Sequence, residues 1–560
     1  MSLRDAYARR ALTQIPRLLT RMDRLEVSRT YGCMDRLYWL DRAADFPSSI
    51  AQFGVHALAL AYAHPYPDNP YYRHPKVLEW VWAGVDFWTR IQKSDGSFDE
   101  FYPNERGWAG PTGFLLYVML DTYRTLKEEM PAGLEERFLK AVHRAGRYLA
   151  DWDEVGTLAN HHAMSFLPLY EAYLVTQDPH LERQFERQVA HFLTLCHEEG
   201  WCLEYDGADP GYLSATVSFL AKLYKVLPDE RLFNVVQKAV EFSSYFVYPN
   251  GYYAGTIGSR QTLHFYPHGY EYFADRIPLA GAVAEKMLVA LDAGKLVPPE
   301  IMSERYHVYR VPELMLSWLD YQPRADNLPP LPYEREPFRA WFPGAKMHVE
   351  KTERHYVVAN LAKGGVVKGF DLANARLTVN DCGLLGELSD GRPVSTVWIG
   401  DEFEVAENDG GLSVEGNFYY VASTLMSPWK FIAFRLVMLL FGWQTRVAYE
   451  LKGLIRRIAI TSSKRAPVGF RREITREDGA LHVSDTITLK GNLTFRRLKV
   501  GDEFPVRYVP QSRYFQGQEL DVMGQWLPDE ALAELNRARK LTITRAYDLS
   551  SSAGQLKRQS

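Results

Sequence analysis

The stretch Glu204-Tyr205-Asp206-Gly207-Ala208-Asp209-Pro210-Gly211-Tyr212 is a polar loop between two strongly helical patterns. Glycine and proline break the helical spacing, and the last tyrosine begins the next helix. Carboxylates and ring hydroxyls are unusual in a connection between two core helices. The stretch therefore predicts a helix–loop–helix unit that carries polar chemistry in its loop.

The same unit repeats from about residue 50 to about residue 320, with apolar residues at helical spacing. Stacked helical hairpins bury a continuous core and close into a toroid or curve into a solenoid, with corresponding loops on one side. A plain helical array with unrelated loops is the alternative. The predicted helices cover 77–91, 114–126, 138–152, a segment around Phe166 to Tyr173, 185–199, 213–226, 235–246 and 270–290. We predict one shared rim for the loops 93–113, 153–163, 200–212 and 249–267.

The composition changes over residues 323–340, where five prolines indicate a stiff linker. We predict a helical toroid domain over 1–322 and, after the linker, an antiparallel β-sandwich over 341–549. The tail 550–560 is rich in serine and other polar residues, which predicts disorder. Alternating or β-branched runs that read as strands lie at 355–360, 375–379, 418–421, 481–489 and 540–544.

The segment 426–460 interrupts the β pattern with an apolar run followed by basic residues. It is too short and too charged to span a bilayer. One interpretation is a helix packed on the sandwich. The other is a basic amphipathic element on the anionic inner face of a membrane, with Trp429 and Trp443 at the interface.

The formal net charge of the 560 residues is −4, which argues against bulk nucleic-acid binding. Aromatic residues make up 13%, and such rings suit sugar faces as well as cores. The four cysteines lack CxxC spacing, so the sequence indicates neither a zinc site nor a disulfide framework. No secretory signal is visible near the N-terminus, so we expect a cytoplasmic protein. We predict no cofactor.

Candidate catalytic residues fall on three of the four loops. The run Asn160–His162 stands where a loop meets a helix, Tyr212 follows one hairpin later, and the next loop supplies Arg260 and His264. A single histidine is more often structural than catalytic. Two adjacent histidines behind an asparagine, on a shared rim, indicate a site.

This set suits removal of a proton next to a carboxylate. The C5 hydrogen of a uronic acid is only very weakly acidic, so the neighbouring carboxylate must first be neutralised. The amide of Asn160 and an imidazole of His161 or His162 are donors of the kind that form an oxyanion hole. Tyr212, assisted by Arg260 or a histidine, then takes the C5 proton and protonates the departing O4 in a β-elimination. Return of the proton from the opposite face would instead invert C5.

Two other chemistries stay open. A bound cation is one, and its ligands would be His161, His162, His264 and Asp209, without the HExxH kind of spacing. A glycosidase with paired carboxylates is the other, and the carboxylates would come from Asp99, Glu100, Glu204, Asp206 and Asp209.

The loop from residue 95 to residue 113 is expected to line the substrate. Trp108 and Tyr102 suit stacking on sugar rings, but they equally suit a plug at the end of a toroid. The predicted substrate-binding residues are Trp108, Tyr102, Glu100, Glu204, Asp209 and His268.

Helical hairpins followed by a β-sandwich, with Asn160-His161 on one loop and Tyr212 one hairpin later, resemble the heparinase II/III and chondroitin AC–alginate lyase superfamily. The resemblance covers most of the chain as architecture, through short motifs. It implies an (α/α) toroid joined to an antiparallel β-sandwich and a lyase acting on a uronate-containing oligo- or polysaccharide. It also implies that Asn160 and His161 or His162 neutralise the carboxylate, that Tyr212 is base and acid, and that Arg260 assists Tyr212.

One departure from that superfamily concerns the β domain, where many members carry a further catalytic histidine in a His-x-His-x-Asp-like strand. The corresponding region here, Ala362–Asp371, has no histidine. His355 lies nearby in a different context, and His264 is the candidate substitute. The reaction outcome therefore stays open between elimination by a lyase and C5 epimerisation. A glycan-binding or membrane-associated assembly protein without activity is the third alternative.

Overall fold

The structure is a computed structural model of the chain, in which helices precede strands. The predicted fold class is confirmed: a helical toroid is followed by an antiparallel β-sandwich. The described residues are 2–106, 108–152, 154, 156, 158–399, 402–408, 411–421, 427–456, 464–477, 479–501, 514–520, 524–550 and 555–557.

The helices of the N-terminal part form two concentric rings. Contacts run from α4 through α6, α8, α10, α12 and α14 and return to α4, which closes the inner ring. The outer ring includes α5, α7, α9, α11 and α13, and α1 packs against both α13 and α14. The helices are α1 (Asp5–Leu12), α2 (Ile15–Arg21), α3 (Arg36–Trp39), α4 (Gly54–Ala63), α5 (Pro75–Ile91), α6 (Ala109–Leu126), α7 (Ala132–Asp151), α8 (Ala159–Thr176), α9 (Pro179–Thr194), α10 (Pro210–Tyr224), α11 (Glu230–Ser244), α12 (His268–Tyr272), α13 (Pro278–Asp292) and α14 (Glu304–Leu319).

Inner and outer helices differ in how much of their surface is buried. Every residue of α10 is buried, because an inner helix has neighbours on all sides. The outer helix α7 instead buries one face, with Phe138 and Val142, and exposes Glu136 and Lys140 on the other. The predicted helix over 270–290 is wrong in its middle: α12 ends at Tyr272, and Pro278 starts a separate helix.

Two antiparallel sheets form the C-terminal part. The first has the order β3-β4-β5-β6-β7, and the second has the order β15-β14-β8-β9-β11-β12-β13-β16-β17, with β10 paired to β11. A two-stranded hairpin, β1 (Leu203–Glu204) and β2 (Gly207–Ala208), lies in the toroid. The other strands are β3 (Phe338–Phe342), β4 (Met347–Lys351), β5 (His355–Asn360), β6 (Val366–Asp371), β7 (Arg376–Asp381), β8 (Leu384–Leu388), β9 (Pro393–Ser395), β10 (Glu404–Asn408), β11 (Gly411–Tyr420), β12 (Arg465–Glu477), β13 (Ala480–Leu489), β14 (Phe495–Val500), β15 (Gln525–Trp526), β16 (Lys540–Asp548) and β17 (Gln555–Lys557).

The first sheet is buried on both faces. Val357 and Val367 pack into the core between the two sheets. On the opposite face, the hydroxyl of Tyr356 donates to the carbonyl oxygen of Tyr245 at 2.7 Å, which joins the sheet to the toroid. This double contact explains why β5 and β6 are buried throughout instead of alternating.

Two predicted boundaries differ from the structure. The predicted linker over 323–340 already contains the start of β3, and Tyr333 within it is buried. In the tail, Gln555–Lys557 pairs with β16 as an edge strand, in contrast to the predicted disorder. Residues 551–554 and 558–560 lie outside the described residues.

The segment within 426–460 forms two helices, α15 (Pro428–Phe441) and α16 (Thr445–Arg456); a further helix, α17 (Asp529–Ala538), belongs to the sandwich. The interpretation as a helix on the sandwich is wrong, since Phe434 contacts Tyr102 of the toroid with ring centroids 4.9 Å apart. Thr445 also donates to Asp95 at 2.6 Å. No helix in the described ranges is long and apolar enough to cross a bilayer. Residue 426 and residues 457–460 lie outside those ranges.

A disulfide joins Cys196 to Cys202, although the sequence indicated no disulfide framework. The two cysteines face each other across a β-bridge between the end of α9 and the start of the Glu204 loop, which brings their Cα atoms to 4.0 Å. The short spacing concealed the pair, because it resembles no familiar disulfide pattern. Cys33 and Cys382 are buried thiols.

Candidate active site

The four predicted loops meet on one rim. The backbone N–H of Ala109 donates to Glu154 at 2.9 Å, which joins the first loop to the second. Leu158 of the second loop pairs with Glu204 of the third as a β-bridge. The hydroxyl of Ser259, in the fourth loop, donates to the carbonyl oxygen of Glu204 at 3.1 Å. The prediction of a shared rim is therefore confirmed.

Glu204 holds Asn160 from both sides. One carboxyl oxygen accepts the backbone N–H of Asn160 at 2.7 Å, and the other accepts its side-chain amide at 2.7 Å. Both residues are buried, and burial raises the pKa of Glu204 to about 8 in spite of these donors. At neutral pH the carboxyl is therefore largely protonated. Glu204, predicted to bind substrate, positions Asn160 and adds little negative charge to the site.

The two adjacent histidines have different surroundings. His161 faces the rim, with its ring centroid 4.6 Å from that of Trp108 and its Nδ1 atom 3.3 Å from Glu154. His162 points toward the outer ring of helices, where its ring meets that of His191 at 5.0 Å. Successive residues of a helix point about 100° apart, so only one of the pair can face the rim. Of the two, His161 is the better candidate to contact a substrate.

A series of rings connects Tyr212 with His161. The side chain of Tyr212 interacts with the hydroxyl of Tyr306 as a hydrogen-bond donor. The ring of Tyr306 lies 5.9 Å from that of Tyr309, which lies 5.0 Å from Phe114. Phe114 in turn lies 6.0 Å from His161. Tyr212 and His161 therefore lie at the two ends of one aromatic wall.

Arg260 is a buried cation with unused donors. Its backbone N–H donates to Asp209 at 2.8 Å, and its guanidinium lies 3.7 Å from the ring centroid of Tyr205. The nearest carboxylate, that of Asp206, is 3.7 Å away, and none of the guanidinium nitrogens has a hydrogen-bond partner among the described residues. Burial lowers the pKa of Arg260, and Tyr212 lies close enough to interact with it electrostatically. Such a group is suited to receive an anion.

Asp209 fixes the ends of this arrangement. One of its oxygens caps α10 by accepting the backbone N–H of Tyr212 at 3.1 Å, while the other accepts that of Arg260. Lys363 interacts with Asp209 electrostatically and donates to the carbonyl oxygen of Thr256 at 2.9 Å. Lys363 comes from the β-domain region in which a histidine was expected, so that region reaches the site through a buried lysine.

Glu100 and Arg305 join the first loop to α14. The indole of Trp108 donates to Glu100 at 2.9 Å, and the guanidinium of Arg305 forms an ion pair with the same carboxylate. His264 stacks on Tyr306 with ring centroids 4.5 Å apart. Trp108, Glu100 and His264 therefore all belong to the cluster.

Two predicted site residues lie elsewhere. Tyr102 is only 9% exposed and is covered by Phe434 of α15, so it offers no free ring face to a sugar. His268 is fully buried, with its ring bonded to Asp320 at 2.7 Å and its backbone N–H bonded to Glu313. Both residues are packing elements of the toroid in this structure.

The carboxylates proposed for a glycosidase are engaged in other contacts. Asp99 accepts backbone N–H groups of its own loop, and Glu100, Glu204 and Asp209 are bound as described above. Within the described residues, no three His, Cys, Asp or Glu side chains are grouped as a cation site. The amide of Asn160, the imidazole of His161, the phenol of Tyr212 and the guanidinium of Arg260 remain the candidate groups.

Sequence reasoning missed several members of the site. Arg305, Tyr306 and Tyr309 stand on α14 at helical spacing, and this polar aromatic stripe in a buried helix is a signal that could have found them. Glu154 and Lys363 carry no such local signal. Lys363 reaches the site only through packing of the β part on the toroid.

The fold, a helical toroid followed by a β-sandwich, is similar to that of a solved polysaccharide lyase. The chondroitin AC lyase of Streptomyces coelicolor A3, solved in complex with chondroitin sulphate, aligns with a TM-score of 0.50 and 11% identity over 89% of this chain and 68% of that one. No family model matches the sequence. No curated protein matches it either.

Two further structures align more loosely. An unsaturated glucuronyl hydrolase specific for heparin aligns with a TM-score of 0.38 and 11% identity, over 57% of this chain and 97% of that one. A GH127 β-L-arabinofuranosidase of Geobacillus stearothermophilus T6 aligns with a TM-score of 0.34 and 11% identity, over 99% of this chain and 97% of that one. At these identities the likeness concerns the fold alone.

Proposed function

We propose that the protein is a glycan-processing enzyme that abstracts the C5 proton of a uronic acid residue and cleaves the chain by β-elimination. The observation that carries this proposal is Arg260, whose buried guanidinium has no hydrogen-bond partner among the described residues and lies beside Tyr212. A substrate carboxylate would supply the missing acceptors. The same cation stabilises a phenolate on Tyr212.

Each step uses a group already in the cluster. Arg260, Asn160 and His161 bind the uronate carboxylate, which allows negative charge to develop there as C5 loses its proton. Tyr212, as phenolate, takes that proton. The C5 electron pair forms the C4–C5 double bond, and the bond from C4 to O4 breaks. The phenol of Tyr212 then gives its proton to O4, so the proton moves from C5 to the leaving group.

The surroundings of Tyr212 support this assignment. Tyr306 lies within hydrogen-bonding reach of Tyr212, so a turn of its hydroxyl would let it donate to a phenolate on Tyr212. Protonated Glu204 keeps negative charge away from the carboxylate site. Trp108 is half-buried beside His161 and can stack on a sugar ring.

Absorbance of the unsaturated uronate product tests the proposal on a panel of uronate polymers, with chondroitin sulphate first because the lyase of similar fold was solved with it. Tyr212→Phe is expected to lower the rate by about 10²- to 10⁴-fold. The control is Tyr270→Phe, which removes a buried hydroxyl bonded to Ser243. Retained elimination in Tyr212→Phe would overturn the assignment of the base.

C5 epimerisation begins with the same proton abstraction and differs in its second half. Exchange of solvent deuterium into C5, without chain cleavage, would identify that outcome. If no uronate polymer gives either the absorbance or the deuterium exchange, the result would favour a glycan-binding protein without activity.

A further inference from the structure

The helical pair α15–α16 exposes an unusual amount of apolar surface. Of the 25 large apolar side chains that are exposed among the described residues, 11 lie between residues 429 and 454. Trp429 is 79% exposed and Trp443 is 65% exposed. Soluble monomers rarely leave so many large apolar groups together in water, so this surface is expected to have a partner.

The exposed groups form a stripe opposite the packed face of α15. Phe434 and Met438 pack against Tyr102 of the toroid. Ile432, Leu436 and Leu440 recur at intervals of four residues on the far side of the helix, and Trp429 and Trp443 continue the stripe at its ends. The outward face of α15 is therefore continuously apolar.

Most charged residues of the two helices are basic, and two of them, Arg435 and Lys452, pair with carboxylates of the toroid. Between residues 427 and 456 there are five basic residues and one acidic residue, which gives a formal charge of 5 − 1 = +4. Lys430 and Arg435 are the charged residues of α15, which carries no carboxylate. On a helical projection they lie on the two flanks of the stripe. Arg435 is paired with Asp45 of the toroid at 3.0 Å, whereas Lys430 is exposed and can reach lipid head groups while the apolar face is buried.

We propose that α15–α16 docks on an anionic lipid membrane, with the stripe lying at the level of the head groups. Basic flanks complement anionic head groups, and tryptophans at the ends of the stripe suit the interface. A second copy of the chain fits less well. A two-fold interface would set the same patch against itself, so the net positive charge of the two helices, with the exposed Lys430, would face a like charge.

Docking in this way would orient the site. Lys452 of α16 forms an ion pair with Glu105 and lies 4.9 Å from the ring centroid of Trp108. The membrane-facing helices are therefore packed directly against the rim. If the proposed function holds, the substrate is a glycan held at or along the membrane surface. Vesicle binding itself needs no catalysis, so the two proposals can fail independently.

Co-sedimentation of the full chain with vesicles tests the docking proposal. One set of vesicles contains phosphatidylcholine alone, and the other contains about 30% phosphatidylglycerol. We expect binding to the anionic set at low salt, weaker binding at high salt, and weak binding to the neutral set. The double variant Lys430→Gln/Arg446→Gln should reduce the partition coefficient about 25-fold, at a factor of about five per charge.

Matched variants distinguish the loss of this surface from the loss of apolar or basic residues elsewhere on the protein. Leu436→Ser/Leu440→Ser should abolish binding, whereas Leu25→Ser/Val27→Ser, at exposed positions of the toroid, should not. Lys127→Gln/Lys140→Gln is the corresponding charge control. Absence of binding to anionic vesicles would overturn the proposal. A dimer in solution that dissociates in Leu436→Ser/Leu440→Ser, without vesicle binding, would overturn it in favour of a second copy.

Discussion

Each half of the molecule contains a buried arginine site: a pair of arginines in the sandwich and a single arginine in the toroid. In the sandwich, all three guanidinium nitrogens of Arg472 donate hydrogen bonds, and Arg472 shares Asp381 and Asp485 with Arg545. On the rim of the toroid, Arg260 is equally buried, but its guanidinium has no hydrogen-bond partner among the described residues. The two arginines are therefore alike in burial and differ in the hydrogen bonds that their guanidinium groups make.

This is the difference expected between a structural cation and a cation that binds a ligand. Burial alone would disfavour the charge of Arg472, but Asp381 and Asp485 outweigh it and raise the pKa of Arg472. Burial dominates at Arg260 and lowers its pKa. A buried charge without hydrogen-bond partners costs folding free energy, and a ligand carboxylate would recover part of that cost. Arg260 is thus the better candidate of the two for contact with a ligand.

The largest expected effect is the contrast between Arg472→Met and Arg260→Met. Removing Arg472 leaves two buried carboxylates with a single cation, which should lower the free energy of unfolding by about 3–5 kcal/mol. Removing Arg260 takes away an unsatisfied charge, so stability should stay within about 1 kcal/mol of the original or increase. Urea unfolding at neutral pH measures both. Equal losses in the two variants would contradict the distinction.

Glu204 provides the next largest effect, through pH. Its pKa is raised to about 8 in the folded protein from an ordinary value of 4.5, so the folded state binds more protons between these values. The free energy of unfolding should therefore decrease as pH rises from 5 to 7. Glu204→Gln should remove about 1 kcal/mol per pH unit of this slope.

The readout is the difference in slope, because glutamine has one acceptor oxygen for the two donors of Asn160 and shifts stability at every pH. Glu415→Gln, at an exposed carboxylate, is the control. An unchanged slope in Glu204→Gln would mean that the carboxyl is ionised in the folded protein.

The contrast between the two arginine sites also shows which structural features can be predicted from the sequence. Periodicity is local, so it predicts the helices, the strands and the rim. The partners of the site are not local: Asn160 and Glu204 are 44 residues apart, and Arg305 and Glu100 are 205 apart. No sequence pattern near Lys363 predicts its contact with the toroid. The loops that carry the candidate residues were therefore predictable, and the partners of those residues were not.

The same limit applies to the segment at 426–460. Its apolar run was visible in the sequence, but the surface on which it packs depends on Tyr102, more than 300 residues earlier. A helix that is apolar nearly all round fits either a core or a membrane. Only the packed positions of Phe434 and Met438 show which face remains exposed.

The smallest expected effect comes from Arg471, the neighbour of Arg472 in β12. Successive residues of a strand point to opposite faces, so Arg471 is exposed and pairs with Glu415 and Glu473 at the surface. Arg471→Met should change the free energy of unfolding by no more than about 0.5 kcal/mol, because exposed ion pairs contribute little. Urea unfolding of Arg471→Met beside Arg472→Met compares the same substitution one residue apart. A large loss for Arg471→Met would mean that charge itself, and not buried pairing, stabilises this strand.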